Sequence, residues 1–318
     1  MPCDMGKTFI RVAEVWVPST DGHLLELAGG LFDEAPAFGA ISRTMCFGRA
    51  EGLPGHAWEE ARPILLRGFE GSYFRRTAAA RAAGLDCAVA WPIFRGEALT
   101  SVVVLLCGDS EQHVGAVELW RNDPRVTGDL SLAEGYFGST APEVEALSRD
   151  GSLSRGAGVP GLAWQRESAV FVDNVGASAR FVRAQVAASA GILRALALPC
   201  SVPGRDAWVL SLLSSAGTPI ARRVESWLPD ENDETRLQRA FGFSEAQGRL
   251  TPNGFSARPA QTLGPIGQAW ASGVAQAASG GAALAAQAEA SEVGLRSVLA
   301  IPVIGDSGRV SEVVALHF

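Results

Sequence analysis

Three copies of one α+β unit, each an antiparallel sheet with helices packed on its faces, are what this sequence predicts. Three landmarks carry the prediction, and each recurs three times in the same order. The first is a strand-like segment: Val12-Ala13-Glu14-Val15-Trp16, Ala116-Val117-Glu118-Leu119-Trp120 and Arg223-Val224-Glu225-Ser226-Trp227. The second is a turn ending in tryptophan: Gly52-Leu53-Pro54-Gly55-His56-Ala57-Trp58, Gly158-Val159-Pro160-Gly161-Leu162-Ala163-Trp164 and Gly264-Pro265-Ile266-Gly267-Gln268-Ala269-Trp270. The third is a glycine followed eight residues later by proline: Gly84 and Pro92, Gly191 and Pro199, Gly294 and Pro302. The turn is spaced by 106 residues both times, and the 318-residue chain is three times 106. The seams fall near Asp109 and Ala216, giving units over 1–109, 110–216 and 217–318.

Each unit reads in the same order. A strand opens it and holds the Glu-x-Trp pair on one face, because side chains alternate along a strand. A second strand follows, Leu24–Leu27 in the first copy. A polar, partly helical stretch leads to the Gly-Pro turn and a short helix bearing the tryptophan. A further helix, Tyr73–Ala83 or Ala179–Ala190, stops at Gly84 or Gly191 in a C-cap position. A hairpin closes each unit: Cys87–Phe94 with Leu99–Leu106, Ala195–Val202 with Ala207–Leu213, and Val298–Ile304 with Val310–Leu316. Apolar runs around Gly-rich turns are the hairpin signal. In the third copy, Ala275–Glu292 is rich in Ala and Gly, which marks that unit as a degenerate, supporting one.

Composition narrows the function. Hydrophobic residues make up 47% and charged residues 19%, an ordinary globular balance. A net charge of −7 excludes a general nucleic-acid binder, which needs a basic face. No apolar run reaches the ~20 residues that span a bilayer. The N-terminal Met1–Lys7 lacks the order of a secretory signal, so the expected location is cytoplasmic. Lys7 is the sole lysine, which removes P-loop and Schiff-base chemistry. Cys3, Cys46, Cys87, Cys107 and Cys200 form no metal-ligand spacing, and His23, His56, His113 and His317 form no paired motif. Gly156–Gly161 matches G-x-G-x-x-G, but it follows no convincing strand, has proline in place of a residue of the phosphate-cradling turn, and reads as the turn of the repeat. No catalytic residue, metal or cofactor is expected.

The Gly-x-Pro-Gly-x-Ala-Trp turn, the Arg-bearing helix ending in glycine and the Leu-Ala-Leu-Pro strand resemble the GAF domain, a sensory module. The second copy follows the pattern in order through Gly158–Trp164, Val170-Phe171-Val172-Asp173, Phe181–Gly191 and Ala195–Pro199. The first copy also resembles the GAF segments of plant nitrate-responsive transcription regulators, through Val15–Pro18, Gly52–Gly55 and Ala88–Phe94. The chain departs from the family in its short units, of about 106 residues, and in lacking the Cys-His neighbours of bilin-carrying members. No output segment is expected, since the repeats take up all 318 residues. The resemblance implies a non-catalytic regulatory protein that binds a small molecule between sheet and covering helix and signals to a protein partner or a second copy of itself. The alternatives are an interaction scaffold with filled pockets and a small-molecule enzyme using a lone cysteine, for which Cys87 is the candidate.

Several side chains are candidates for such a site. Glu14, Glu118 and Glu225 recur without a recurring catalytic partner and read as strand-edge or salt-bridged structural residues. Trp58, Trp164 and Trp270 read first as core anchors and second as pocket walls. Arg76 and Arg183 lie eight residues before the helix-ending glycine, where the third copy has Ala286; Tyr73 and Arg180 lie three residues earlier still, where it has Ala283. The preferred reading of these arginines is a solvated outer face. The functional one is a bidentate contact with an anion or carboxylate. The second copy gathers Arg180, Arg183 and Arg194 with Asp173 and Trp164, so its ligand is expected to be small and anionic. A buried Arg183 needs an acceptor, either Asp173 or the ligand. Tyr73, Arg76 and Cys87 are the corresponding candidates in the first copy.

One outcome follows from charge alone. Passed over immobilised duplex DNA at physiological ionic strength, the protein is expected in the flow-through, and salt-dependent retention would show a basic cluster hidden by the linear sequence.

Overall fold

The computed structural model describes residues 7–108, 114–138, 142–200, 206–230, 232–250, 264–280, 294–305 and 307–318. The first unit comprises β1 (Ile10–Pro18), β2 (Leu24–Leu31), α1 (Pro36–Ser42), β3 (Cys46–Gly48), α2 (Gly52–Glu60), β4 (Ile64–Arg67), α3 (Thr77–Ala82), β5 (Leu85–Arg95) and β6 (Ala98–Gly108). The second comprises β7 (Gly115–Asn122), β8 (Leu130–Tyr136), α4 (Pro142–Asp150), β9 (Ser152–Leu153), α5 (Gly158–Arg166), β10 (Val170–Val172), α6 (Ala184–Ser189), β11 (Arg194–Cys200) and β12 (Ala207–Ser214). The third has β13 (Arg223–Asp230), β14 (Asp233–Ser244), β15 (Gly248–Arg249), α7 (Pro265–Ser272), β16 (Gln276–Ser279), β17 (Ser297–Ile304) and β18 (Val310–His317). Each forms a six-stranded antiparallel sheet in one order: β3-β2-β1-β6-β5-β4, β9-β8-β7-β12-β11-β10 and β15-β14-β13-β18-β17-β16. The α+β plan expected of GAF-like repeats is therefore present three times.

Register repeats along with order. The pairing of the first two strands shifts just before the tryptophan in every copy, at Val15/Trp16, Leu119/Trp120 and Ser226/Trp227. The unpaired residue on the neighbouring strand is an alanine each time: Ala28, Ala133 and Ala240. Two residues later a glycine lies opposite the glutamate: Gly30 opposite Glu14, Gly135 opposite Glu118 and Gly242 opposite Glu225. At Gly30 and Gly135 a Cβ would strike the rings of Phe32 and Phe137, at 2.3 and 2.6 Å.

Strand parity divides the apolar residues between two faces. In the first unit Val12, Trp16, Ala88, Ala90, Val102, Val104 and Leu106 form a core under the helices. Val15, Cys87, Val89, Trp91, Val103, Leu105 and Cys107 face the other way, into a core shared by all three units. The strands β5, β11 and β17 meet there pairwise. Burial of these second faces is a major apolar contribution, at roughly 25 cal/mol per Å² removed from water.

The units also meet edge to side in a cycle. The edge strand β4 lies against β8, and β16 lies against β2. Phe171 of β10 stacks on Phe241 of β14 at 6.1 Å. Each unit thus presents its edge strand to the second strand of the next, and the third returns to the first. This is a heterologous contact that closes as a three-membered ring within one chain. One contact recurs five residues after two of the three turn tryptophans. Ala169 N–H donates to Glu312 at 2.7 Å, and Ala275 N–H donates to Ser101 at 3.2 Å. The third equivalent is Pro63, which has no N–H; beside it Arg62 lies over Trp208 at 5.5 Å.

Two helices are shorter than the sequence predicts. The segment expected as Tyr73–Ala83 is helical from Thr77, and Ala179–Ala190 is helical from Ala184. Ahead of each, a turn packs Phe74 or Phe181 inward, which places Arg76 and Arg183 at the N-cap. The C-terminal glycines, Gly84 and Gly191, have φ of 64° and 78°, where L side chains are strained. Ala283 and Ala286 lie outside the described residues. Among the described residues no helix is long and apolar enough to cross a membrane.

The closed ring has a consequence for truncation. A chain ending at residue 216 uncovers part of the shared core and is expected to self-associate, measured by light scattering coupled to gel filtration. A monodisperse monomer would show that the third unit is dispensable for covering that core.

Candidate functional site

The glutamates of the Glu-x-Trp pairs are fully buried at mid-sheet: β1 and its counterparts are paired on both sides, so none is a strand-edge residue. Each accepts a hydrogen bond from the indole two residues on, at 3.0 Å for Trp16 and Trp120 and 3.2 Å for Trp227. In the first unit the Arg76 guanidinium reaches in from the N-cap of α3 and pairs with both carboxylate oxygens of Glu14, Nη2 to Oε2 at 2.9 Å. It also donates to Ser42 Oγ at 2.6 Å. The rings of Phe38 and Phe74 lie 4.5 and 5.3 Å from it. The second unit repeats the arrangement: Arg183 contacts Glu118 at 2.6 and 3.0 Å, and Ser148 donates to Glu118 at 2.8 Å. Burial pushes the Glu118 carboxyl up, but Arg183, Ser148 and Trp120 outweigh it and hold the group below its ordinary range.

These arginines are therefore not the solvated outer-face residues that the sequence favoured. An inward N-cap position and a carboxylate directly beneath it explain the difference. The acceptor of Arg183 is Glu118 and not Asp173. In the third unit the same carboxylate is met differently: Arg223 Nε and Arg239 Nη1 lie 2.9 Å from Glu225 Oε1, and His317 Nε2 lies 3.0 Å from Oε2. The space between sheet and helix in the first two units is filled by these side chains. Ser42 and Ser148, 106 residues apart, were missed in the sequence, as was the Ala-x-Gly step facing each glutamate.

The remaining candidates separate. Cys87 faces the shared core opposite Cys107, and burial pushes its thiol well above the usual range, opposite to what a nucleophile needs. Tyr73 stacks on His56 at 3.8 Å, and Trp164 is half-buried with the Arg155 guanidinium 5.5 Å over its ring. Among the described residues no group of three or more His, Cys, Asp or Glu side chains is placed to hold a metal ion.

Asp173, Arg180 and Arg194 come together at the junction of the second and third units. There Phe171, Asp173, Arg180, Phe241, Phe243, Arg249 and Leu250 line a cleft of about 490 Å³. Asp173 accepts from Arg249 at 2.7 and 3.0 Å, and those hydrogen bonds hold its carboxyl below the ordinary range. Arg194 is held by Glu245 at 2.8 Å through two nitrogens, with its guanidinium 4.7 Å from the Phe243 ring. Arg180 is exposed and has no ion-pair partner among the described residues. A larger groove of about 810 Å³ lies between the first and third units, where Arg11 is already paired with Glu34 at 3.1 Å.

No family model and no curated protein matches the chain. Solved structures similar to part of it include the NLH2 GAF domain of A. aeolicus in an inactive state, at 16% identity over 31% of this chain and 58% of that one, with a TM-score of 0.26. A free methionine-R-sulfoxide reductase from Neisseria meningitidis is similar at 23% identity over 33% of this chain and 53% of that one, with a TM-score of 0.25. The NreA protein of Staphylococcus aureus, mutated in its nitrate binding site, is similar at 16% identity over 35% of this chain and 81% of that one, with a TM-score of 0.27. The matched region spans little more than half the length of the first two.

The buried pair sets a stability test. Glu118→Gln leaves Arg183 facing a neutral amide and is expected to destabilise by about 3–5 kcal/mol near neutral pH. Because the folded Glu118 carboxyl titrates below its unfolded value, its contribution is present above about pH 4.3 and is lost as pH falls through the folded value. Urea midpoints of wild type and variant, measured from pH 3 to 8, should therefore converge on acidification; a pH-independent gap would contradict the ion pair.

Proposed function

We propose that this chain is a non-catalytic regulatory protein that binds a small anionic molecule in the cleft between its second and third units. The observation that supports it is Arg180: a guanidinium without a counter-charge among the described residues, on an open cleft lined by Phe171, Phe241 and Phe243. The cleft's size lies within the range of small-molecule sites. It is walled by two units, so a ligand touches both, and its affinity depends on how they sit against each other. A ligand that binds one arrangement better than another shifts the population toward it. That shift would reach a partner chain, or a second copy, through the outer helices.

A second reading rests on a different observation. The spaces between sheet and helix in the first two units are filled by the Glu14–Arg76 and Glu118–Arg183 networks, as in an interaction scaffold that holds no ligand.

Calorimetry with a panel of nitrate, phosphate, acetate and aromatic carboxylates separates the two. The wild type is expected to bind at least one anion, and Arg180→Ala is expected to weaken it tenfold or more with an unchanged thermal midpoint. Failure of the wild type to bind any member would favour the scaffold.

A further inference from the structure

Resting on that reading, we infer that the ligand of this cleft is a flat aromatic molecule carrying one carboxylate. The inference starts from what differs among the three junctions. Beyond each alanine bulge, strand parity flips, and the two outward residues face the preceding unit. In the first unit these are Gly29 and Leu31, and a Cβ at Gly29 would come within 2.6 Å of Ala277 O, so the strands abut. In the second they are Glu134, which accepts from Leu65 N–H at 2.9 Å, and Tyr136, which donates to Asp86 at 2.9 Å. In the third they are Phe241 and Phe243, which meet Phe171. Two junctions are closed by backbone approach or hydrogen bonds. The third is faced with rings that remain partly exposed.

Those rings define a surface for a flat apolar body. Phe171 and Phe241 lie 9° from parallel, and Phe243 is tilted 40° from Phe171 at 5.5 Å. Offset stacking on such faces favours an aromatic ring over a saturated one of equal area. The charge count is one. Arg249 and Arg194 each already hold a carboxylate through two nitrogens, which leaves Arg180 to take the ligand's anion. A planar guanidinium fork matches a carboxylate in bidentate fashion. A cleft of about 490 Å³ is far larger than an inorganic anion fills.

The experiment is calorimetry on the full chain with phenylacetate, cyclohexylacetate, phenylacetamide, acetate and nitrate, using wild type, Arg180→Ala and Phe171→Leu. Phenylacetate is expected to bind about tenfold more tightly than cyclohexylacetate and phenylacetamide. Phe171→Leu should erase the first difference and Arg180→Ala the second. The wild-type ligand pairs keep the test valid even where a variant fails to fold. Equal binding of phenylacetate and cyclohexylacetate, or binding of acetate or nitrate as tight as phenylacetate, would overturn the aromatic class while leaving an anion site. Equal binding of phenylacetate and phenylacetamide, or no binding by any probe, would overturn both the inference and the proposed function.

Discussion

A carboxylate buried at the middle of a β-sheet is the constraint on which the rest of this structure depends. Taking a charged group out of water costs several kcal/mol, so each of Glu14, Glu118 and Glu225 must be met by a cation and by further donors. The indole two residues along is always one donor, because strand parity puts it on the same face. The cation comes from two different places. In the first two units it descends from the N-cap of a short helix, which fixes where that helix begins. In the third it comes from the strands themselves, from Arg223 and Arg239, with the His317 ring beside the other carboxylate oxygen. A buried ion pair need not add net stability over an apolar substitute. What it does here is tie helix to sheet at one register, since a shifted strand would leave a charge unpaired.

The same neighbourhood shapes the assembly. The alanine bulge lets the strand beside the glutamate change parity, and the glycine two residues later clears room for Phe32 or Phe137. Because the parity changes, residues beyond the bulge turn toward the neighbouring unit. Junction contacts are therefore a consequence of how the buried glutamate is accommodated. The recurring N–H five residues after the turn tryptophan follows the same economy. Where a polar partner faces it, in Glu312 or Ser101, the residue is an alanine whose N–H donates; the third equivalent is Pro63, which has nothing to donate, and its neighbour Arg62 lies over Trp208.

Much of this was legible in the sequence, and the rest was not for definite reasons. Repeat spacing, the Gly-Pro helices and the closing hairpins were carried by local patterns of turn residues and apolar runs. The Glu-x-Trp pair was visible too, but its partner was not, because Arg76 lies 62 residues from Glu14 and only the fold brings them together. A signal existed: arginine and serine recur at matching positions in two copies, and Ala-x-Gly in three. Cys87 was misplaced among the pocket candidates by one step of parity, since its neighbours Ala88 and Ala90 face the helices. Asp173, Arg180 and Arg194 were grouped by sequence proximity, and their meeting place required the third unit, whose β14 and β15 form the opposite wall.

Threefold repetition makes departures from it informative. Where three copies solve one problem alike, folding explains the residues, as for the indole-bonded glutamates. Where one copy differs at a position the others use for closure, the residues mark what is particular to that junction. The junction of the second and third units differs in this way. It carries rings where the others have backbone contact or hydrogen bonds, and it holds Glu312, whose carboxyl burial pushes up while Ser226 and Ala169 donate to it. A change in the spacing of the two units would alter the hydrogen bond that Glu312 accepts from Ala169 across the junction. The residues that would read a ligand and those that would feel the resulting movement thus lie at the same junction of the ring.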